Sequence, residues 1–117
     1  MTARRVLVID DDRDFADGLA ELLEIIGHEA ATAYTPSGGV AAAGDGRYDV
    51  AMIDIGLPGC NGADCALQIQ ARRSDITCIL MTGYSGDTLD RMGIKLGDTM
   101  MLRKPIRPED LYACLDD

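Results

Sequence analysis

The sequence has no tryptophan, a single phenylalanine and only two lysines in 117 residues. Its eleven Lys and Arg stand against twenty Asp and Glu, a formal charge of −9. That balance argues against direct nucleic-acid binding, which needs a basic face for the phosphates. Also missing is any apolar run near the ~20 residues of a bilayer-spanning helix; the longest runs are of strand length. The N-terminal Met-Thr-Ala-Arg-Arg is basic, but the apolar stretch behind it meets Asp10-Asp11-Asp12 within a few residues, which no signal-peptide core tolerates. A cytoplasmic chain with no membrane contact is the expectation. The four cysteines, Cys60, Cys65, Cys78 and Cys114, include no C-x-x-C pair, so reduced thiols acting as small hydrophobes are expected rather than zinc ligands or disulfides.

The hydrophobic fraction of 47% is that of an ordinary globule. A chain of this length hides roughly two-thirds of its unfolded surface in one core, so a single domain over residues 1–117 is expected. Short apolar runs alternate with helical patterns about five times, the order of an α/β fold with a parallel sheet. The first run, Arg5 to Asp10, is apolar without alternation, as in a strand covered on both faces. Phe15, Leu19, Leu22, Leu23 and Ile26 then form one helical stripe that Gly27 ends. His28, the only histidine, follows that helix-ending glycine and is expected in an exposed turn.

A weaker edge strand is predicted from Glu29 to Tyr34, followed by a Gly- and Ala-rich helix that Thr35 caps and Pro36 opens. The third strand runs to Asp54 and stops before the Pro58-Gly59 turn. Asn61 caps a helix from Gly62 to Arg73, predicted to face inward with Ala63, Ala66, Leu67 and Gln70. Thr77 to Thr82 is a fourth strand. The helix after it, Gly86 to Ile94, has only Leu89, Met92 and Ile94 as anchors and is predicted to be lightly held. Thr99 to Arg103 is a fifth strand, and Pro108 opens a last helix ending after Leu115. That helix is short for its place, the pattern of a chain cut from a longer one.

Parallel α/β sheets bind ligands at the carboxyl edge of their strands. The residues ending the central strands are Asp10 and Asp11, Asp54, Thr82 and Lys104. Three carboxylates gathered there would repel by roughly 4 kcal/mol per pair at ~4 Å and an effective dielectric of ~20, which calls for a cation or raised pKa values. Mg²⁺ fits best, since it takes one or two carboxylates and completes its octahedron with water and phosphate oxygens; no D-x-D-x-D-G loop offers Ca²⁺ its ligands. A phosphoryl group at Asp54 would meet the metal, the Lys104 ammonium and the Thr82 hydroxyl, a site for making an acyl phosphate. Asp12, Asp14 and Asp17 are better read as charges complementing a helix N-terminus.

Val6-Leu-Val-Ile-Asp10-Asp11-Asp12, Ile53-Asp54-Ile-Gly-Leu-Pro58-Gly, Met81-Thr82-Gly-Tyr84 and Arg103-Lys104-Pro105 follow one another over nearly the whole chain. In this combination the chain resembles the receiver domain of bacterial two-component response regulators. The resemblance implies a flavodoxin-like doubly wound sheet of five parallel strands, order 2-1-3-4-5, flanked by five helices. It implies that a sensor histidine kinase or phosphotransfer protein donates its phosphoryl group to Asp54. Asp11, Asp54 and the Gly56 carbonyl would bind Mg²⁺ directly, Asp10 would help through water, Lys104 would contact the phosphoryl group, and the Lys104–Pro105 bond would be cis.

Such a domain catalyses its own phosphorylation and dephosphorylation without being a turnover enzyme. Phosphorylation would draw Thr82 inward and bias the surface of the fourth helix, fifth strand and fifth helix, a face through which many receivers also form homodimers. Two positions depart from the family pattern. Met101 stands where an aromatic residue usually couples to Thr82, and Gly56 stands where a longer side chain usually shields the acyl phosphate, which leaves Tyr84 as the expected cover. Gly56 also argues against an aspartyl-nucleophile phosphatase, whose general acid is an Asp two residues after the nucleophile. Met101 keeps open a third reading, an interaction module that works without phosphorylation.

Overall fold

The computed structural model describes residues 3–93 and 99–115. Ten elements alternate along the chain: β1 (Arg5–Ile9), α1 (Arg13–Ile25), β2 (Glu29–Ala33), α2 (Pro36–Ala43), β3 (Val50–Asp54), α3 (Gly62–Arg72), β4 (Thr77–Thr82), α4 (Gly86–Arg91), β5 (Met100–Arg103) and α5 (Pro108–Leu115). The five strands pair in parallel in the order β2-β1-β3-β4-β5, the expected flavodoxin-like topology.

Both faces of the sheet are buried because successive strand residues point to opposite sides. Leu7, Ile9, Ala51, Ile53, Cys78 and Leu80 pack with Val40 and Ala43 of α2, Cys65, Ala66 and Ile69 of α3, and Leu89 of α4. The alternate set, Val6, Val8, Val50, Met52, Ile79 and Met81, packs with Ala16, Leu19 and Leu23 of α1 and Leu111 and Leu115 of α5. Burial pushes the thiols of Cys65 and Cys78 up to about 11, and all four cysteines are free. They serve as core filler. No helix among the described residues is long and apolar enough to cross a membrane.

The caps follow the sequence. Asp12, Thr35 and Asn61 accept the backbone N–H groups of Phe15, Gly38 and Asp64, closing the open N-termini of α1, α2 and α3. In α2, Gly39 lets the helix lie against β1, where a Cβ would stand 2.6 Å from Ile9 Cδ1. That contact accounts for a glycine inside a helix, where it is otherwise a poor choice.

Several inward faces differ from expectation. The buried stripe of α3 is Gly62, Cys65, Ala66 and Ile69, at i, i+3, i+4 and i+7, while Leu67 and Gln70 do not share it and Leu67 faces solvent. Of the predicted inward residues Ala66 is buried and Ala63 packs against the core, but the stripe is centred one position earlier, on Gly62, Cys65 and Ile69, because Gly62 sits against β3. The predicted α4 ran too far: it ends at Arg91, and of its expected anchors Leu89 is buried while Met92 is exposed. Ile94 lies outside the described residues. His28 is not in an exposed turn. It is 4% exposed, its Nδ1 accepts the Arg4 backbone N–H at 2.9 Å, and its backbone N–H donates to the Leu23 carbonyl. The turn at Gly27, with φ +106°, folds back onto the start of β1 and takes the imidazole with it.

Gly62 carries the tightest constraint near the sheet rim. A Cβ there would lie 2.5 Å from the Asp54 carbonyl oxygen and 2.7 Å from Ile55 Cα, backbone atoms that cannot yield. Gly62→Ala is therefore expected to destabilise the fold by about 1–3 kcal/mol, seen as a lower urea midpoint at unchanged slope. The small stabilisation usual for Gly→Ala inside a helix would contradict it.

Candidate functional site

Strand register assembles the site. Ile9 pairs with Ile53, which sets Asp10 beside Asp54; Asp54 pairs with Met81, one residue before Thr82; Thr82 pairs with Arg103, one residue before Lys104. Adjacent strands lie ~4.8 Å apart, so these side chains emerge side by side at the carboxyl edge. The strand-like hydrogen bonds continue past the ends, from Ile55 N to the Met81 carbonyl and from Lys104 N to the Thr82 carbonyl at 2.7 Å.

Asp10 is fully buried and Asp54 is 9% exposed, whereas Asp11 faces solvent. Carboxylate oxygens of all three lie within 4.8 Å of one another. Lys104 reaches in from beyond β5, its Nζ 2.8 Å from Asp10 Oδ2 and 3.3 Å from Asp54 Oδ1. Asp10 Oδ1 accepts the backbone N–H of Asp12 at 3.0 Å. Burial and the charge of Asp10 push the Asp54 carboxyl above its ordinary value of 3.8; the charge and hydrogen bond of Lys104 and a backbone bond from Gly56 recover only part of that rise. For Lys104, burial works to lower the ammonium's pKa. The hydrogen bond to Asp10 and the charges of Asp54 and Asp10 outweigh it, so it stands above its ordinary 10.5.

Hard carboxylate oxygens converging from two strand ends suit a divalent cation with oxygen preference. The single ammonium of Lys104 is shared between two of the three acids, and Asp54 retains an unfavourable environment for its charge. A cation at this cluster would relieve it.

Thr82 is fully buried, and its Oγ1 accepts the backbone N–H of Tyr84 at 2.9 Å, which leaves the hydroxyl proton to donate elsewhere. Gly56 opens a gap over Asp54. A Cβ there would stand 3.7 Å from Asp54 Oδ2 and 3.9 Å from Tyr84 Cε2, so the half-exposed Tyr84 ring lines the space a longer side chain would fill. Met101 pairs with Leu80 and is half-buried against the α3 side of the sheet. Thr82, two residues after Leu80, lies on that same face. The Lys104–Pro105 peptide bond is cis. One neighbour was missed in the sequence: Phe15, counted there as a core residue of α1, has Lys104 Nζ 4.2 Å from its ring centroid. Helical periodicity could not reveal this, because the contact joins the first turn of α1 to a side chain from beyond β5, at the other end of the sequence.

The sequence model of the response regulator receiver domain matches residues 6–116. The chain belongs to the response regulator receiver domain family. This receiver is 32% identical over 112 residues to the acid tolerance regulatory protein ActR of Rhizobium meliloti, an alignment covering 96% of the chain and 58% of ActR. It thus spans little more than half of that relative. Among solved structures, it superposes on a Burkholderia pseudomallei response regulator with a phosphorylated aspartic acid, calcium ion and citrate (TM-score 0.81, 27% identity, 96% of this chain and 66% of that one). It also superposes on TrrA of Thermotoga maritima in complex with Mg²⁺-BeF (TM-score 0.77, 28% identity, 94% of each chain). The fold and family expected from the motifs are thereby established.

Asp54 holds its proton to higher pH when folded than when unfolded, so its ionisation costs stability as pH rises from 3.8 through its raised value. Asp54→Asn removes that charge and is expected to raise the melting midpoint of the receiver at neutral pH by a few degrees. The advantage should shrink as pH falls toward 3.8, where the carboxyl is largely neutral when folded. A midpoint lowered at neutral pH would show that the Lys104 pairing outweighs burial and the Asp10 charge.

Proposed function

We propose that this receiver accepts a phosphoryl group on Asp54 from the phosphohistidine of a sensor histidine kinase or phosphotransfer protein, and that the resulting acyl phosphate changes the α4–β5–α5 surface. The observation that carries the reading is the convergence of Asp10, Asp11, Asp54 and Lys104 at one rim, with Thr82 buried beside them. An Asp54 oxygen attacks phosphorus, the P–N bond to the donor imidazole breaks, and the nitrogen keeps the electron pair. Lys104 loses a carboxylate charge at Asp54 and gains the phosphoryl oxygens in its place.

Asp11, Asp54 and the Gly56 carbonyl are the ligands we assign to Mg²⁺, with Asp10 supporting them. When bound, the ion offsets the clustered carboxylates and polarises the phosphoryl oxygens. Thr82 is poised to donate its hydroxyl proton to the new group. Its movement would open space on the face it shares with Met101, whose unbranched chain can follow where an aromatic ring would swing. Tyr84 covers the gap at Gly56 and slows attack by water on the acyl phosphate.

Incubation with acetyl phosphate and Mg²⁺, followed by intact mass, is expected to add one phosphoryl group to the wild type and none to Asp54→Asn. A chain that stays unmodified would leave only an interaction role, and release of inorganic phosphate without an adduct would point to a phosphatase. Mg²⁺ alone at 100 times its Kd should stabilise the wild type by about 2.7 kcal/mol, and Asp11→Asn should lose most of that gain. For Tyr84, the half-life of the phosphorylated form is the readout. It should shorten severalfold in Tyr84→Ala, and an unchanged half-life would remove Tyr84 from this role.

A further inference from the structure

Phe15 is the third residue of α1, half-buried, with one ring face toward the site. Its place is fixed by a closed circuit of contacts. Asp10 Oδ2 holds Lys104 Nζ at 2.8 Å, and Asp10 Oδ1 holds the Asp12 backbone N–H at 3.0 Å. The Asp12 carboxylate caps α1 by accepting the Phe15 backbone N–H at 3.1 Å. The Phe15 ring then closes the loop, its centroid 4.2 Å from the ammonium with which the circuit began. The same carboxylate thus grips the cation directly and, through the helix cap, positions the ring the cation rests on.

That distance lies inside the ~6 Å range over which a cation is drawn to the negative face of an aromatic ring, and the attraction grows with desolvation. The Lys104 side chain is 23% exposed, so part of its hydration is already lost. Asp10, Asp54 and the ring all lie against the ammonium, at 2.8, 3.3 and 4.2 Å. A flexible four-carbon stem would otherwise let it wander.

We propose that Phe15 is a positioning residue for Lys104: its ring holds the ammonium at Asp54 by a cation–π attraction, so that the charge is in place when the phosphoryl group arrives. The inference rests on Asp54 being the phosphoacceptor. Before transfer, Asp10 shares the ammonium that the ring holds beside Asp54, so Asp54 is not tied up in a full pairing and stays a competent nucleophile. After transfer, they hold the ammonium beside the new oxygens. Phe15 also packs against the core cluster of α1 and α5, a purely structural role. Apolar packing depends on ring shape, whereas cation–π attraction depends on the charge of the ring face.

Fluorination separates the two. Phe15 is the only phenylalanine of the chain, so protein grown on 4-fluoro-, 3,5-difluoro- or 3,4,5-trifluorophenylalanine is altered at this position alone. Added fluorine withdraws charge from the ring face at nearly constant shape. The rate of phosphorylation by acetyl phosphate with Mg²⁺, followed by intact mass, is expected to fall stepwise with fluorine number. The total should be about fivefold, equivalent to about 1 kcal/mol. Phe15→Trp and Phe15→Tyr should retain the rate, and Phe15→Leu should match the most fluorinated protein. A wild type that is phosphorylated at a rate indifferent to fluorination overturns the Phe15 inference alone. A wild type that takes no phosphoryl group overturns the acceptor reading, and the role of Phe15 with it.

Discussion

Everything at the rim of this sheet depends on one buried carboxylate. Asp10 has no exposed surface, and an ionised group so placed is tolerated only if it is paired and hydrogen-bonded. Lys104 and the Asp12 N–H meet that demand from opposite ends of the sequence, one beyond β5 and one at the cap of α1. The pairing therefore joins the first strand, the first helix and the last strand. It also leaves Asp54, whose burial already disfavours its charge, beside the like charge of Asp10 with only a shared cation to offset both. A carboxylate in that position is poorly satisfied, the state that the proposed phosphoacceptor role calls for.

Around that pair, the backbone supplies the precision. Parallel pairing fixes the order in which Asp10, Asp54, Thr82 and Lys104 reach the edge, because each strand ends one residue short of its rim side chain or on it. Gly62 allows α3 to begin directly against the Asp54 carbonyl. The small residue at Gly56 leaves a gap above Asp54, and the Tyr84 ring, carried from the neighbouring strand end, borders that gap. Site and fold are thus held by the same contacts, and a change at the rim is felt in both.

The strands and the acidic set were readable directly, because unbroken apolar runs that end in Asp10, Asp54, Thr82 and Lys104 seldom arise by chance in a chain of this size. Side-chain surroundings were harder to read. The phase of α3 was misjudged because Leu67 looks like a core residue and Gly62 does not, while the close approach of the Asp54 carbonyl decided the reverse. His28 looked like a turn residue because its neighbours do; the imidazole is buried because the Arg4 backbone lies beside it. In both cases a partner outside the local stretch settled the matter.

The sequence by itself determined the element order, the parallel topology and the identity of the residues at the carboxyl edge, because hydrophobic periodicity and strand-end chemistry are local properties of the chain. Only the tertiary structure decided which of those residues share a charge, that Phe15 faces Lys104, and that His28 is buried against the Arg4 backbone. Such contacts arise where one element crosses another, and the angle of that crossing is set by packing across the whole core rather than by any stretch that contributes to it.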